Sequence, residues 1–341
     1  MQRSKAKIGI VSYGLYTPEA FETAGELASA SGLTPEELKT LGIERKSKPS
    51  AEDHPVPMAV KAAKMAFERS GGVSPEQVDL VIWTGEEYKD YIAQTAAIRL
   101  QEETECRNAW AFDLVGQGVT AIQGLKVAGD MMTSDPRIKT VLLAGGTRNV
   151  DLVNPANPDT RFLLAASASG GAFLLQRDHP KNRLLGTAFS VDWDMADEVY
   201  VPGGGTEIPF APDNLDSDIM YFNTPRPAVV ADYLRKRWVP GLCGVARTVL
   251  AGKTPDYVAL RHLAPADRSE VLKDLGVSDT QSPSLERWGS HGTNDPLLSL
   301  NLGLKSGAVM DGSLVVMVCG GIGFTYAAAA VQWGPCGQGE A

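Results

Sequence analysis

The chain has 341 residues, 43% hydrophobic and 21% charged, a globular composition with ample apolar side chains for a core, which excludes disorder as its main state. A formal net charge of -9 excludes a surface built to neutralise phosphates, so nucleic acid is not an expected partner. At roughly 150 residues per domain, the length predicts two domains or two fused halves.

The N-terminus, MQRSKAKIGIVSYG, is basic with a short apolar stretch, and no run approaches the ~18 apolar residues of a membrane span. These features predict a soluble, uncleaved, cytoplasmic protein without a membrane span. Cys106, Cys243, Cys319 and Cys336 are far apart and form no CxxC pair, and there are only 4 histidines. Neither a disulfide framework nor a metal site is signalled.

In chain order, short apolar runs with strand character fall at Lys7–Val11, Val78–Thr84, Trp110–Leu114, Thr140–Ala144 and Gly171–Gln176, separated by helical patterns. MAVKAAKMAFER, Met58–Arg69, is a helix followed by a Gly-Gly and Val-Ser-Pro-Glu break and then the strand VDLVIWTG. The second half repeats this unit. RPAVVADYLRKRWVPGLCGVARTVL is helical, with Pro240 expected to kink or break it, and GKTPDYVALRHL turns at Pro255 into a strand.

A second pair of segments also corresponds. VTAIQGLKVAGDMM before KTVLLAGG matches DPLLSLNLGL before GSLVVMVCGG, and each is followed by a further apolar strand, GGAFLLQ or YAAAAVQW. Such self-similarity implies duplication. The expected architecture is two α/β halves, 1–180 and 181–341, whose sheets share central helices in a five-layer α/β/α/β/α sandwich. Ala196–Thr224, rich in Gly, Pro and Asp, is expected to be a long functional loop.

This order, with LGIERK at Leu41–Lys46, VDLVIWTG, AFDL at Ala111–Leu114, VLLAGG, DEVYVPGGG, ALRHLAP and CGGIGFTYAAAAVQW, resembles the thiolase superfamily, specifically ketoacyl-ACP synthase III and its relatives. The resemblance covers essentially the whole chain and implies a thiolase-like fold. In that family a cysteine at the N-terminus of a buried helix attacks an acyl thioester, assisted by a histidine and an asparagine. Counting forward from AFDL puts the cysteine's position at Gly118; counting back from KTVLLAGG puts it at Val119. Neither is a nucleophile, and no other cysteine lies at the site. Thr120 is adjacent and has a hydroxyl, but a threonine at a helix start is ordinarily a cap.

The resemblance assigns the histidine to His262 and the asparagine's place to Ser290, with His291 beside it. Gly320, Gly321 and Gly323 correspond to an oxyanion-forming turn. Gln117 places an amide near the helix start, either polarising a thioester carbonyl or bonded to backbone, and Gly203–Gly205 corresponds to a loop shaping the cavity wall. Arg235, Lys236 and Arg237 fall where the family meets carrier or CoA phosphates. Glu86–Ala93, with Tyr88 and Tyr91, corresponds to a segment that one subunit contributes to the other's pocket.

The implied activity is that of an acyl-CoA or acyl-ACP acyltransferase or decarboxylase working without a cysteine acyl-enzyme. The alternative is a silent homologue acting as a dimer partner or carrier-protein docking subunit. No tightly bound cofactor and no metal are expected, the CoA or phosphopantetheine thioester being substrate. Expected partners are acyl-CoA or acyl carrier protein, and a second subunit in a homodimer or in a heterodimer with a synthase.

Overall fold

A computed structural model describes residues 6–215 and 217–336. The chain opens with β1 (Ile8–Tyr16), then β2 (Ala20–Thr23), α1 (Ala24–Ser31), α2 (Pro35–Thr40) and β3 (Arg45–Lys48). Each of these two short helices starts with a capping box, Thr23 with Glu26 and Thr34 with Glu37, which satisfies amides that a short helix would otherwise leave open. Next come α3 (Pro55–Glu68), β4 (Leu80–Trp83), α4 (Ala96–Glu103), β5 (Trp110–Asp113), α5 (Thr120–Ser134), β6 (Thr140–Thr147) and β7 (Ser169–Arg177). The remaining elements are β8 (Lys181–Val191), α6 (Pro227–Tyr233), α7 (Val239–Leu250), β9 (Tyr257–Leu260), α8 (Pro265–Leu275), α9 (Asp295–Ser306), β10 (Leu314–Gly321) and β11 (Thr325–Pro335).

Nine strands join in the order β5-β4-β6-β7-β1-β8-β11-β10-β9, while β2 and β3 pair separately. The duplication is visible in this order. Outward from the single Gly9–Arg183 pairing of β1 with β8, one side runs β1, β7, β6, β4 and the other β8, β11, β10, β9. On both sides the successive pairings are antiparallel, antiparallel and parallel. β5 then adds in parallel to β4 and has no counterpart.

Three apolar clusters correspond to three helical layers. One places α3 and α4 against the outer face of the first half, with Ala59, Ala62, Ala63, Leu100 and Trp83. A second holds α7 and α8 against the second half. The third lies between the halves, where Ile122 and Leu125 of α5 and Leu297 and Leu300 of α9 meet strand residues of both. The result is the duplicated α/β/α/β/α sandwich.

Pro240 does not break its helix. A π-helical turn, Leu234–Trp238, links α6 to α7 directly before it, and the widened turn accommodates a residue that has no N–H to donate. The 196–224 excursion is closed at its base by the Tyr200–Asn223 bridge. No helix among the described residues is long and apolar enough to cross a membrane.

Candidate functional site

Loops leaving the C-terminal ends of β4, β5, β6, β9 and β10 converge on the loop before α9, the usual place for a ligand crevice in an α/β sheet. They enclose a cavity of about 230 Å³. Glu86, Gln117, Gly118, Thr147, Arg261, His262, Ser290, Gly292, Gly320 and Gly321 form its polar side, and Phe162, Phe222, Trp238 and Phe324 its apolar side.

Gly118 sits two residues before α5 with φ +73°. A Cβ there would lie 2.7 Å from the Gly320 carbonyl oxygen and 2.8 Å from Gly321 Cα, so the turn admits no side chain without moving β10. Its N–H is already engaged, donating to both Glu86 oxygens at 3.1 and 3.0 Å. Glu86, 1% exposed, also accepts from the Thr293 N–H at 3.0 Å. Burial pushes its carboxyl up to about 7, against the lowering effect of these N–H donors and of Arg261. Gly292, φ +54°, makes room for this carboxylate: a Cβ there would be 2.6 Å from Oε1.

His262 follows β9. Its backbone N–H donates to Asp295 Oδ2 at 3.1 Å, and its Nε2 is 2.8 Å from the Gly42 carbonyl. A carbonyl only accepts, so Nε2 carries the proton. Burial lowers the ring's pKa, which keeps it neutral at pH 7. Asp295, at the start of α9, also accepts from the Ser290 hydroxyl at 3.0 Å and the His291 N–H at 2.6 Å. Ser290 is pinned from the other side by backbone bonds with Ala165 and Ser167 at 2.7 and 2.8 Å.

Gly118, Gln117, His262, Ser290, Gly320 and Gly321 therefore share one cavity, and several other expected site residues lie elsewhere. Val119 is buried in the central apolar cluster beneath α5. Thr120 turns its hydroxyl back on the loop, donating to the Gly116 carbonyl and accepting from the Gly116 N–H at 3.1 Å. His291 is fully buried behind the wall, with Nε2 3.1 Å from the Trp288 carbonyl. Gly323 is not itself a lining residue, although Ile322 and Phe324 on either side of it are, and the 196–224 excursion contributes Phe222 rather than Gly203–Gly205. Tyr91 is 68% exposed and is not among the residues lining this chain's own cavity.

The basic cluster is neutralised locally. Arg235 and Lys236 pair with Asp232, and Arg237 lies 3.8 Å from Asp192 and 3.4 Å from Asp194.

Sequence reading missed Glu86, Arg261 and Asp295 as parts of the site. The available signal was an acidic pair following the apolar LVIW strand after two intervening residues and an Arg-His dipeptide directly after YVAL. No cysteine was expected at the site, yet Cys319, near the end of β10, abuts it as a neutral thiol. Its thiol donates to the Gly118 carbonyl at 2.6 Å, and burial pushes it up to about 12.

Residues 112–192 match the family profile of 3-Oxoacyl-[acyl-carrier-protein (ACP)] synthase III. The chain is 25% identical over 329 residues to the beta-ketoacyl-[acyl-carrier-protein] synthase III of Symbiobacterium thermophilum, covering 96% of this chain and 98% of that one. It is 23% identical to an acetoacetyl CoA synthase of a Streptomyces species, covering 95% and 98%. The crystal structure of 3-oxoacyl-[acyl-carrier-protein] synthase III from Aquifex aeolicus superposes with a TM-score of 0.81 at 21% identity, covering 96% of this chain and all of that one. The fold is thus the thiolase-like one of these synthase III structures, and in sequence the chain is similar to 3-oxoacyl-ACP synthase III.

Proposed function

We propose that the cavity transfers an acyl group from a CoA or acyl-carrier-protein thioester to a second substrate in one displacement, without an acyl-enzyme. The observation that carries this reading is the turn at Gly118, where no side-chain nucleophile fits and the amide is held by a carboxylate. Similarity to ketoacyl-ACP synthases III and to an acetoacetyl CoA synthase supports the acyl-thioester class. Arg261, stacked over Trp238 at 4.9 Å, brings positive charge to the wall where an oxyanion would develop. A cavity of about 230 Å³ is below the ~300 Å³ lower end for drug-sized ligands and suits a short acyl group. The cytoplasm is the expected compartment.

The test is incubation with acetyl-, butyryl- and octanoyl-CoA, the matching carrier-protein thioesters and malonyl-CoA. Thiol release or CO2 loss favouring short chains is expected, with intact mass unchanged. An acyl adduct on Thr120, Ser290 or any cysteine overturns the reading. The second reading, a silent partner of a synthase, is favoured by the engagement of His262 Nε2 with Gly42, and no turnover with any thioester would support it.

We also infer a dimer built on β5, one of the two edge strands of the nine-stranded sheet. Trp110 on this strand is 52% exposed, and Ile98, Val115, Tyr91 and Ile92 nearby in sequence are exposed as well. Light scattering at micromolar concentration is expected to give a dimer for the wild type and a monomer for Trp110→Lys, because an unpaired edge with apolar exposure is a ready pairing template. A wild-type monomer, or a dimer unaffected by the substitution, contradicts this.

A further inference from the structure

Glu86 is a buried carboxylate on the polar side of the cavity wall, and none of the ion pairs among the described residues includes it. Desolvating an ionisable carboxyl without a cationic partner is expensive, and folds keep such groups where protons move. The surroundings are arranged around it. Gly118 and Thr293 supply N–H groups from two separate loops, and Gly292 leaves the space that its Oε1 occupies.

We propose that Glu86 is the proton carrier of the acyl transfer proposed above, a role that rests on that reading of the cavity. The acceptor is an alcohol or amine. As its oxygen or nitrogen bonds to the thioester carbonyl carbon, its proton passes to the Glu86 carboxylate. The tetrahedral intermediate then expels the thiolate, the C–S bond breaks, and the Glu86 carboxylic acid returns the proton to sulfur. Atoms and charge balance with no further reactant.

The groups facing Glu86 fit a carboxyl that cycles between both forms near neutrality. Arg261 at the end of β9 favours the ionised form; Asp295 at the start of α9 favours the protonated one. Cys319 of β10 stays a neutral thiol, and His262, after β9, stays neutral because burial lowers its pKa. The net effect, dominated by burial, puts the carboxyl at about 7, where a group is equally able to accept and return a proton. A purely structural Glu86, bridging the loops at Gly118 and Thr293, would need only an acceptor at this place.

The experiment measures thiol release from acetyl- and butyryl-CoA between pH 5.5 and 8.5 with a panel of primary alcohols and amines, on wild type and on Glu86→Gln, which keeps the size and one acceptor oxygen. The wild-type rate is expected to rise through an ionisation near neutral pH. In Glu86→Gln the rate is expected to fall by about 10²-fold or more and that limb to disappear. Infrared difference spectra of the wild type supply a readout independent of the variant's folding: a protonated carboxyl band should be lost as pH rises through the same range. Turnover in Glu86→Gln with the same pH limb, or no titrating carboxyl band in that range, overturns the role of Glu86 alone. Absence of thiol release by the wild type overturns the acyl-transfer reading, and this role with it.

Discussion

Asp295→Ala is expected to destabilise the protein by about 3–5 kcal/mol, the range for removing one partner from a buried, charge-assisted network. The carboxylate is fully buried and accepts from the His262 N–H, the His291 N–H and the Ser290 hydroxyl. Alanine would leave two backbone donors without partners in a space that water cannot readily fill. Against a typical total of about 5–15 kcal/mol, such a loss is a large fraction of the folding free energy. Asp295→Asn retains an acceptor oxygen and is expected to cost roughly half as much, since one or two of the donors keep a neutral partner. Urea denaturation of the three proteins tests this. A loss below about 1 kcal/mol for the alanine variant, the size of an ordinary surface effect, would show that the network carries little of the stability.

The same carboxylate shows how residues far apart in the sequence reach one cavity. His262 and Ser290 are 28 positions apart in numbering yet meet one acceptor, and both line one cavity. Val119 and Thr120 do not line the cavity, because backbone direction, invisible in a motif count, decides which residue of a turn faces it. The positive φ at Gly118 turns the chain so that Val119 enters the apolar layer and Thr120 folds back on Gly116.

Glu86 was missed for a different reason. Its partners are the amides of Gly118 and Thr293, and only the assembled fold brings those loops to the end of β4. Among the strands, β4, β6 and β10 were legible as continuous apolar runs because helices cover both faces. β8 was not. Its sequence, KNRLLGTAFSV, is largely exposed or half-buried and lacks a clean period, so nothing local distinguished it from a loop.

The stability of the fold is expected to fall as pH rises from about 4.5 to about 7, through the contribution of Glu86. Its carboxyl is raised by burial from 4.5 to about 7 in the folded chain. Between those values the folded state binds the proton that the unfolded state has already lost. The slope of unfolding free energy with pH is set by protons bound in the unfolded state minus those bound in the native state, so here it is negative. The full contribution, present below the unfolded value and lost as pH passes the folded value, is about 3 kcal/mol at ~1.4 kcal/mol per pKa unit.

His262 and His291 act in the opposite sense, since burial lowers both and favours the neutral ring: stability rises as the unfolded histidines lose their protons. The two effects overlap in the wild-type profile, and Glu86→Gln separates them because it removes one without touching the histidines' titration. Urea denaturation at intervals from pH 4.5 to 7.5 should show the wild type losing stability relative to Glu86→Gln by an amount of that order. Parallel profiles for the two proteins would mean that Glu86 titrates in the ordinary carboxylate range, and that the N–H groups of Gly118 and Thr293 outweigh its burial.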